Sequence, residues 1–458
     1  MIDVMRIRGF LLTLALAPVA ACSSVPNPVD ALDFIPGIGG GEADEDTAPQ
    51  DGRVSILDFE QGLQIANGAP LEPVVLPRAY ANPVWPQPGG YPSHAVQHTQ
   101  ADGELDVHWT TSIGEGSSNS SRLNARPVVA DGRVYAIDAR GEISAMNAET
   151  GANVWSTRLE GPTENDRMAF GGGLAFDNGR IYAHAGFNFL VALDANNGSE
   201  LWRAEIIVPF HGAPTVADGR VFVASDDNEM IAIEADSGQV LWTYQGIVES
   251  ARLITAPSPA VLGDVVVAPF ASGELVALRV QNGNPIWSDS LTSAGSLTAM
   301  SDINDVAGSP VIADGAVYAM SHSGSLVAIS LRTGERIWSQ PAGGLHAPWV
   351  AGDFIYVVTS EAQVVCLNRL TGQIHWIEQL DLFENPDNRE NRIAWSGPLL
   401  ASGRVFLASS RGDAVLLNAY DGSVIREYEL RDDVFVAPVI ANETIYVVTD
   451  EARVIALR

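Results

Sequence analysis

The chain has 458 residues, of which 46% are hydrophobic and 18% charged, so most of it can bury a core and wholesale disorder is excluded. All 26 basic residues are arginine and stand against 56 acidic residues, which gives a formal net charge of −30. A surface of this sign repels nucleic acid and anionic lipid head groups, and the lack of lysine excludes Schiff-base and other lysine chemistry.

Residues 1–21 have the layout of a secretory signal peptide. Arg6 and Arg8 precede an apolar stretch over residues 10–17, which is too short to span a bilayer. The stretch ends in VAAC at residues 19–22, which resembles the lipobox that is cleaved before a cysteine whose thiol is then acylated. We therefore predict a lipid anchor at Cys22; an ordinary signal peptide followed by an incidental cysteine is the alternative. In the lipoproteins that it resembles, a serine such as Ser23 after the cysteine goes with transfer to the outer membrane.

Residues 22–100 are predicted to form an acidic, proline-rich tether that starts at the acylated cysteine. Scattered prolines and a large excess of acidic over basic residues leave too little patterned apolar surface to offset the entropy of ordering. Residues 85–98 are aromatic and rich in glycine and proline, so this part is a candidate for packing on the domain. His94 and His98 would suit a metal ion if they lay on a helix, but Pro92 favours a loop.

After residue 100 the sequence repeats, with a glycine followed four residues later by tryptophan. The pairs recur every 38 to 51 residues, and the seventh copy has arginine in place of tryptophan: Gly151/Trp155, Gly198/Trp202, Gly238/Trp242, Gly283/Trp287, Gly334/Trp338, Gly372/Trp376 and Gly422/Arg426. Each unit alternates short β-rich runs with turn residues, which predicts four strands and no helix. A period of this length built from four strands is typical of a β-propeller blade.

The two ends of the repeat region complete one another. The C-terminal residues supply three strands, and residues 105–111 supply one strand with Trp109. The sequence therefore predicts an all-β, eight-bladed β-propeller over residues 101–458, with four-stranded antiparallel blades and closure by pairing of the N- and C-terminal strands. Seven blades, with one unit misread, is the alternative. The repeat tryptophans are predicted to pack between blades, the alternative being a row of aromatics that stacks ligands.

The connections from one blade to the next vary most in length and all emerge on one face. Residues 243–257, 289–309 and 377–397 mix apolar side chains with arginine and aspartate, as a protein-binding surface does; simple drift in loop sequence is the alternative. Catalysis has little support, because the eight histidines form no recognisable motif. Cys366, in an apolar run, is predicted to be buried and inert, and no cofactor or metal site is predicted.

The Gly-x-x-x-Trp repeats resemble those of quinoprotein alcohol dehydrogenases. Together with the lipobox and eight blades, they make the chain resemble the BamB family, propeller lipoproteins of the outer-membrane β-barrel assembly machinery. The resemblance covers residues 1–22 and about 100–458. The enzyme branch of quinoproteins is generally longer and has an adjacent cysteine pair, and this sequence has neither feature.

The BamB resemblance implies a non-enzymatic scaffold lipoprotein at the periplasmic side of the outer membrane. It implies docking to the insertase BamA through two neighbouring inter-blade loops, with other assembly subunits and unfolded outer-membrane proteins as further partners. The corresponding loops here carry Arg252, Leu253 and Ile254, and then Asp302 and Asp305. Asp305 is the better match of the two aspartates, the second family aspartate falls on Ala307 and the arginine is displaced by about two residues, so the resemblance implies the loops rather than individual side chains. The aspartates could instead order or solvate a turn. A quinoprotein-like oxidoreductase, a propeller that binds a small ligand and an envelope adaptor with another protein partner remain the alternatives.

Overall fold

The computed structural model describes residues 63–65, 72–161, 172–210, 212–249, 255, 257–292 and 305–458. These residues belong to a compact unit that runs from Phe59 to Arg458. The regular secondary structure in these ranges consists of β-strands alone, arranged as eight four-stranded antiparallel sheets and one two-stranded hairpin. Cys22 and the predicted signal peptide over residues 1–21 lie outside the described residues.

The first strand, β1 (Val107–Ser112), belongs to the last blade, and the blades are numbered from the strand that follows it. Blades 1 to 4 are β2 (Val128–Ala130), β3 (Arg133–Ile137), β4 (Glu142–Asn147) and β5 (Asn153–Arg158); β6 (Gly173–Asp177), β7 (Arg180–His184), β8 (Phe189–Asp194) and β9 (Glu200–Glu205); β10 (Thr215–Ala217), β11 (Arg220–Ala224), β12 (Glu229–Glu234) and β13 (Val240–Gln245); and β14 (Ala260–Leu262), β15 (Val265–Pro269), β16 (Glu274–Arg279) and β17 (Pro285–Ser290).

Blade 5 consists of β18 (Val311–Ala313), β19 (Ala316–Met320), β20 (Leu326–Ser330) and β21 (Arg336–Gln340), and blade 6 of β22 (Trp349–Ala351), β23 (Phe354–Val358), β24 (Gln363–Asn368) and β25 (Ile374–Gln379). The hairpin of β26 (Phe383–Asn385) and β27 (Glu390–Arg392) follows blade 6. Blade 7 consists of β28 (Trp395–Ala401), β29 (Arg404–Ser409), β30 (Asp413–Asn418) and β31 (Val424–Glu429), and blade 8 combines β32 (Val439–Ala441), β33 (Thr444–Val448) and β34 (Arg453–Leu457) with β1.

The eighth blade is composite and closes the ring. Its outer strand β1 pairs antiparallel with the C-terminal strand β34, from Val107 opposite Leu457 to Ser112 opposite Arg453. The predicted eight blades and their closure are therefore confirmed, and the seven-bladed alternative is wrong. Closure also removes the two sheet edges at which an open array would aggregate.

The burial of each strand follows its place in the blade. Middle strands such as β23 are buried at every position, because neighbouring blades cover both of their faces. Outer strands such as β5 alternate between exposed and partly buried residues, because one side of the strand faces solvent. The core is therefore divided into layers between blades, each lined by aliphatic side chains.

The repeat tryptophans join successive blades, as predicted. Each indole nitrogen donates to a backbone carbonyl of the following blade over 2.8–3.1 Å, and the pairs are Trp109 to Ala148, Trp155 to Ala195, Trp202 to Ala235, Trp242 to Val280, Trp287 to Leu331, Trp338 to Arg369 and Trp376 to Ala419. The ring faces also pack against the repeat glycine of that following blade, as Trp155 does against Gly198. The glycine of each motif therefore contacts the tryptophan of the preceding motif.

The interface between blades 7 and 8 is different because the chain termini meet there. Arg426 stands where the other copies have tryptophan, and it donates to the carbonyl of Glu104 and to the carboxylate of Asp106 over 2.9 Å in both cases. Tyr428 donates its hydroxyl to the Glu104 carbonyl at 3.2 Å. Blade 8, whose four strands the structure describes in full, has no repeat glycine against which an indole from blade 7 could pack, because its outer strand β1 comes from the other end of the repeat region. An ion pair stands in the place of the indole, which explains the arginine in the seventh repeat.

Residues 82–99 form a ring inside the propeller, which we call the inner ring. It meets the innermost strand of every blade in the order 8, 1, 2, 3, 4, 5, 6, 7. The contacts are Asn82 with Ile440 and Asn442, Trp85 with Val129, Pro86 with Phe176, Gln87 with Val216, Pro92 with Val261, Ser93 with Ile312, Gln97 with Trp349 and Gly352, and Thr99 with Leu400 and Ser402. The inner ring therefore supplies partners to backbone groups along the free edges of the inner strands.

The ordered body of the protein thus begins before residue 101. Residues 85–98, which the sequence marks as a candidate for packing on the domain, lie against the inner strands within the inner ring. The imidazole Nδ1 atoms of His94 and His98 lie 2.7 Å and 2.6 Å from the carbonyl oxygens of Pro310 and Pro77. His98 also accepts a hydrogen bond at Nε2 from the backbone of Gly403 at 2.8 Å. These hydrogen bonds hold the loop that contains His94 and His98 against the propeller.

Candidate functional site

Two structural regions are candidates for function: the face on which the blade-to-blade connections emerge, which we call the loop face, and a cavity on the propeller axis beneath it. The loop face also carries the turns between the second and third strands of each blade. The opposite face, which we call the turn face, carries the remaining turns. The described parts of all three sequence-predicted loops lie on the loop face, because each loop joins an outer strand to the inner strand of the next blade.

The structure describes part of the predicted partner surface. Arg252, Leu253, Ile254 and Asp302 lie outside the described residues, and Asp305 lies inside them. Asp305 is fully buried, and its backbone carbonyl accepts a hydrogen bond from the His322 amide at 2.9 Å. Its place inside the protein favours a role in ordering the connection between β17 and β18 over direct contact with a partner.

The described parts of the loop face expose large apolar side chains next to the predicted loops. Ile247 and Val248, on the connection that leads to residues 250–254, expose 57% and 60% of their surface. Ile207, on the preceding connection, exposes 96%. Exposed aliphatic side chains on adjacent loops are typical of a protein-binding patch, since they would otherwise be covered.

The longest predicted loop, residues 377–397, contains the hairpin of β26 and β27. The guanidinium groups of Arg389 and Arg392 lie 5.6 Å and 5.9 Å from the centre of the Phe383 ring. Arg392 also forms an ion pair with Glu361 at 2.8 Å. The two cation–π contacts lie within the hairpin, and the ion pair joins it to blade 6, so this insertion is an ordered part of the loop face.

A cavity of about 890 Å³ lies on the axis and opens on the loop face. Its wall is largely apolar and includes Leu345, Val358, Ile393, Trp395 and Phe435, the last of which exposes 45% of its surface. Pro88 of the inner ring lies at its lining. The volume is within the range of small-molecule sites, about 300–1,000 Å³. We call it the axial cavity.

Charged and polar groups line the deep part of the axial cavity. Burial lowers the pKa of the Arg126 guanidinium to about 10, so this group is still protonated at neutral pH. Burial, and next the charge of Arg126, lower the pKa of His346 to about 3, so this imidazole is neutral. Arg126 donates to the Pro88 carbonyl at 3.2 Å. The cavity therefore holds a cation and a neutral imidazole against an apolar wall.

The sequence analysis missed Arg126 and the axial cavity, although the repeat contains a signal for them. The innermost strand of most blades follows a proline, and the residue before that proline is small in six copies: Ala213, Ser258, Ser309, Ala347, Gly397 and Ala437. Arg126 holds this position in blade 1. An arginine where the other copies place alanine, serine or glycine close to the axis marks a special site.

The remaining sequence predictions about chemistry concern Cys366 and metal binding. Cys366 is fully buried in β24, as predicted, and burial raises the pKa of its thiol to about 12. In the described ranges, no three histidine, cysteine, aspartate or glutamate side chains lie close enough together to hold a metal ion. Within the same ranges, no helix has the length and apolarity needed to cross a membrane.

Comparison with known proteins places this architecture among assembly factors and quinoprotein propellers. The family model described as "Outer membrane protein assembly factor BamB" matches residues 95–168, 139–378 and 385–458. The protein of that name from Salmonella typhimurium strain LT2 is 32% identical over 353 residues, which cover 76% of this chain and 88% of the relative. The one from Escherichia coli strain K12 is 31% identical with the same coverage.

Solved structures show the same fold at lower identity. BamB from Moraxella catarrhalis has a TM-score of 0.67 at 18% identity, covering 77% of this chain and 99% of that one. A quinohemoprotein alcohol dehydrogenase from Comamonas testosteroni has a TM-score of 0.64 at 14% identity, covering 83% of this chain and 81% of that one. The propeller architecture is therefore shared by assembly factors and enzymes, and the fold by itself does not distinguish between them.

Proposed function

Since the chain belongs to the BamB family of outer membrane protein assembly factors, we propose that it is a non-enzymatic scaffold of the outer-membrane β-barrel assembly complex. In this proposal Cys22 is acylated and holds the propeller at the periplasmic side of the outer membrane. The part of the predicted 22–100 tether that precedes Leu63 then provides reach between the lipid and the propeller, since Leu63 and Val74 already pack against the propeller core. The protein helps to position unfolded outer-membrane proteins at the insertase.

The loop face is the surface that we propose for docking to BamA. The observation that carries this proposal is the exposure of Ile207, Ile247 and Val248 on adjacent connections. Arg252, Leu253 and Ile254 follow Val248 within six residues along the same connection, so the exposed apolar surface leads directly to them. Arginine and large apolar residues are frequent anchors of protein interfaces.

The two aspartates have different parts in this proposal. Asp302 pairs with a basic group of the partner, since an aspartate near an exposed loop can complement a cation across an interface. Asp305 is buried and orders the connection between β17 and β18 from inside. Substitution of Asp305 should therefore disturb docking indirectly, through the position of the loop.

A pull-down of the acylated, detergent-solubilised protein with identification of bound proteins by mass spectrometry tests this function. The variant Arg252→Glu plus Leu253→Glu should lose the barrel insertase. The matched control is Arg332→Glu plus Leu370→Glu, which makes the same chemical change at exposed positions on the turn face and should retain it. Circular dichroism verifies that both variants are folded.

Three results would contradict the proposal in different ways. Recovery of neither insertase nor assembly subunits by the wild type removes the assembly role, and recovery of a different envelope protein indicates an adaptor. Equal loss of the insertase in both double variants removes the loop face as the docking surface. A near-visible absorbance of the purified protein together with dye-linked alcohol oxidation indicates the quinoprotein oxidoreductase instead.

A further inference from the structure

The axial cavity contains a cation that lacks a carboxylate partner. Among the described residues no aspartate or glutamate forms an ion pair with Arg126, whereas Arg392, the other arginine of the cavity wall, is paired with Glu361 at 2.8 Å. The only hydrogen bond of Arg126 to the described part of the chain is the one to Pro88. An isolated charge removed from bulk water is costly, and an anion in the cavity would offset that cost.

Neutral polar groups line the same cavity as this cation. In the part of the chain that the structure describes, the Asn124 amide has no hydrogen-bond partner at either its nitrogen or its oxygen, and the same holds for Nδ1 of His322. Both residues line the axial cavity. His346 is neutral at physiological pH, so it adds hydrogen-bonding capacity without adding a second charge. A cavity whose described lining has one cation without a carboxylate partner and several neutral hydrogen-bonding groups is complementary to a ligand that carries one anionic group.

The rest of the cavity favours an apolar ligand body. Leu345, Val358, Ile393 and Trp395 line its wall. The whole protein carries a net charge of −30, which repels anions at long range, so affinity has to come from contacts inside the cavity. A ligand that combines one anionic group with an apolar ring or chain satisfies both requirements.

We propose that the axial cavity binds an organic carboxylate with an apolar body, its carboxylate against Arg126 and its body against the apolar wall. This site does not depend on the proposed docking function, because it lies on the axis and uses none of the docking residues. A free small acid and the carboxyl end of a peptide share this chemistry.

Isothermal titration of the acylated protein with 2-naphthoate and with its uncharged isostere 2-naphthamide tests the proposal. The carboxylate should bind about ten- to one-hundredfold more tightly, because a hydrogen bond to a charged group contributes about 1.5–3 kcal/mol. Equal binding of the two compounds, or binding of neither, overturns the proposal. Acetyl-leucyl-leucine is tested in the same way against its C-terminal amide. If the peptide carboxylate binds more tightly than 2-naphthoate, the ligand is a peptide end; if 2-naphthoate binds more tightly, it is a small acid.

Variants locate the bound carboxylate. Arg126→Gln should lose the preference for naphthoate over naphthamide, whereas Arg332→Gln, which makes the same change at an exposed position on the turn face, should leave the ratio of the two affinities unchanged. Because Arg126→Gln could impair folding, Ala394→Trp provides a second variant, which fills the cavity from its wall and should abolish binding of both compounds. An unchanged preference in folded Arg126→Gln, or unchanged binding in folded Ala394→Trp, overturns the assignment.

Discussion

The contact between each repeat glycine and the tryptophan of the preceding blade can be separated from the glycine's role in its turn. Gly198 and Gly179 both lie in turns of blade 2 with positive φ, at +73° and +75°. A Cβ at Gly198 would lie 2.6 Å from Cε3 of Trp155, whereas a Cβ at Gly179 would meet nothing within 4 Å. The two alanine substitutions therefore share backbone strain and differ in packing.

The structure sets the expected magnitudes. A left-handed alanine costs about 1–2 kcal/mol, so Gly179→Ala should lower the free energy of unfolding by about that amount. Gly198→Ala adds overpacking against the indole, which costs about 1–3 kcal/mol more. We expect Gly198→Ala to be less stable than Gly179→Ala by about 2 kcal/mol.

Urea unfolding of residues 22–458, followed by circular dichroism, measures this difference. A mutant cycle gives the control: the Cβ at Gly198 also meets Oγ1 of Thr157 at 2.5 Å, so in a background with Trp155→Ala and Thr157→Ala, Gly198→Ala should cost no more than Gly179→Ala. Equal destabilisation by the two single substitutions would refute the reasoning and show that the glycine serves the turn alone.

Three further predictions concern the pH dependence, the inner ring and the buried thiol. Burial lowers the pKa of His94, His184 and His346 from 6.5 to between about 3 and 4. The folded protein therefore keeps these imidazoles neutral at pH values where the unfolded chain protonates them, so their contribution to stability is complete above pH 6.5 and is lost as the pH falls. The loss is up to about 1.4 kcal/mol per pH unit for each histidine. Thermal unfolding between pH 7 and 4 measures this, and an unchanged slope in His184→Gln contradicts it. Gln87→Leu removes both hydrogen bonds to Val216 and should cost about 2 kcal/mol in urea unfolding. Gln100→Leu, which loses one hydrogen bond to the exposed Asp102, should cost less than about 0.5 kcal/mol; equal effects would show that the inner ring adds no stability. Cys366 should react with a thiol reagent only in denaturant, and rapid reaction of the native protein would contradict its burial.

The architecture could be predicted because the repeat is periodic. The interval between glycines, the four short β-rich runs of each unit and the incomplete units at the two ends are all present in the linear sequence, and they specify eight blades and their closure. The packing role of the tryptophans follows from the same pattern. In six of the seven copies the glycine lies four residues before the tryptophan of its own blade, yet its contact is with the tryptophan of the preceding blade, and linear spacing could not show this.

The inner ring and the axial cavity depend on contacts between residues that are far apart in the sequence. Asn82 and Ile440 are 358 residues apart, and their contact exists because ring closure brings blade 8 next to the first residues of the inner ring. Arg126 is one arginine among 26 in the sequence. Its special environment arises because the inner strand of blade 1 directs it toward the axis, beside Pro88 of the inner ring.

The sequence by itself determined the class of fold, the number of blades, the closing strand pair and the face on which the variable connections emerge, because each of these follows from local period and from strand order. The tertiary structure alone decided which segment seals the inner strand edges, which arginine of the described residues lies in the axial cavity without a carboxylate partner and that Asp305 is buried. These properties depend on burial and on the distance between side chains, and both are fixed only when eight separate blades converge on one axis.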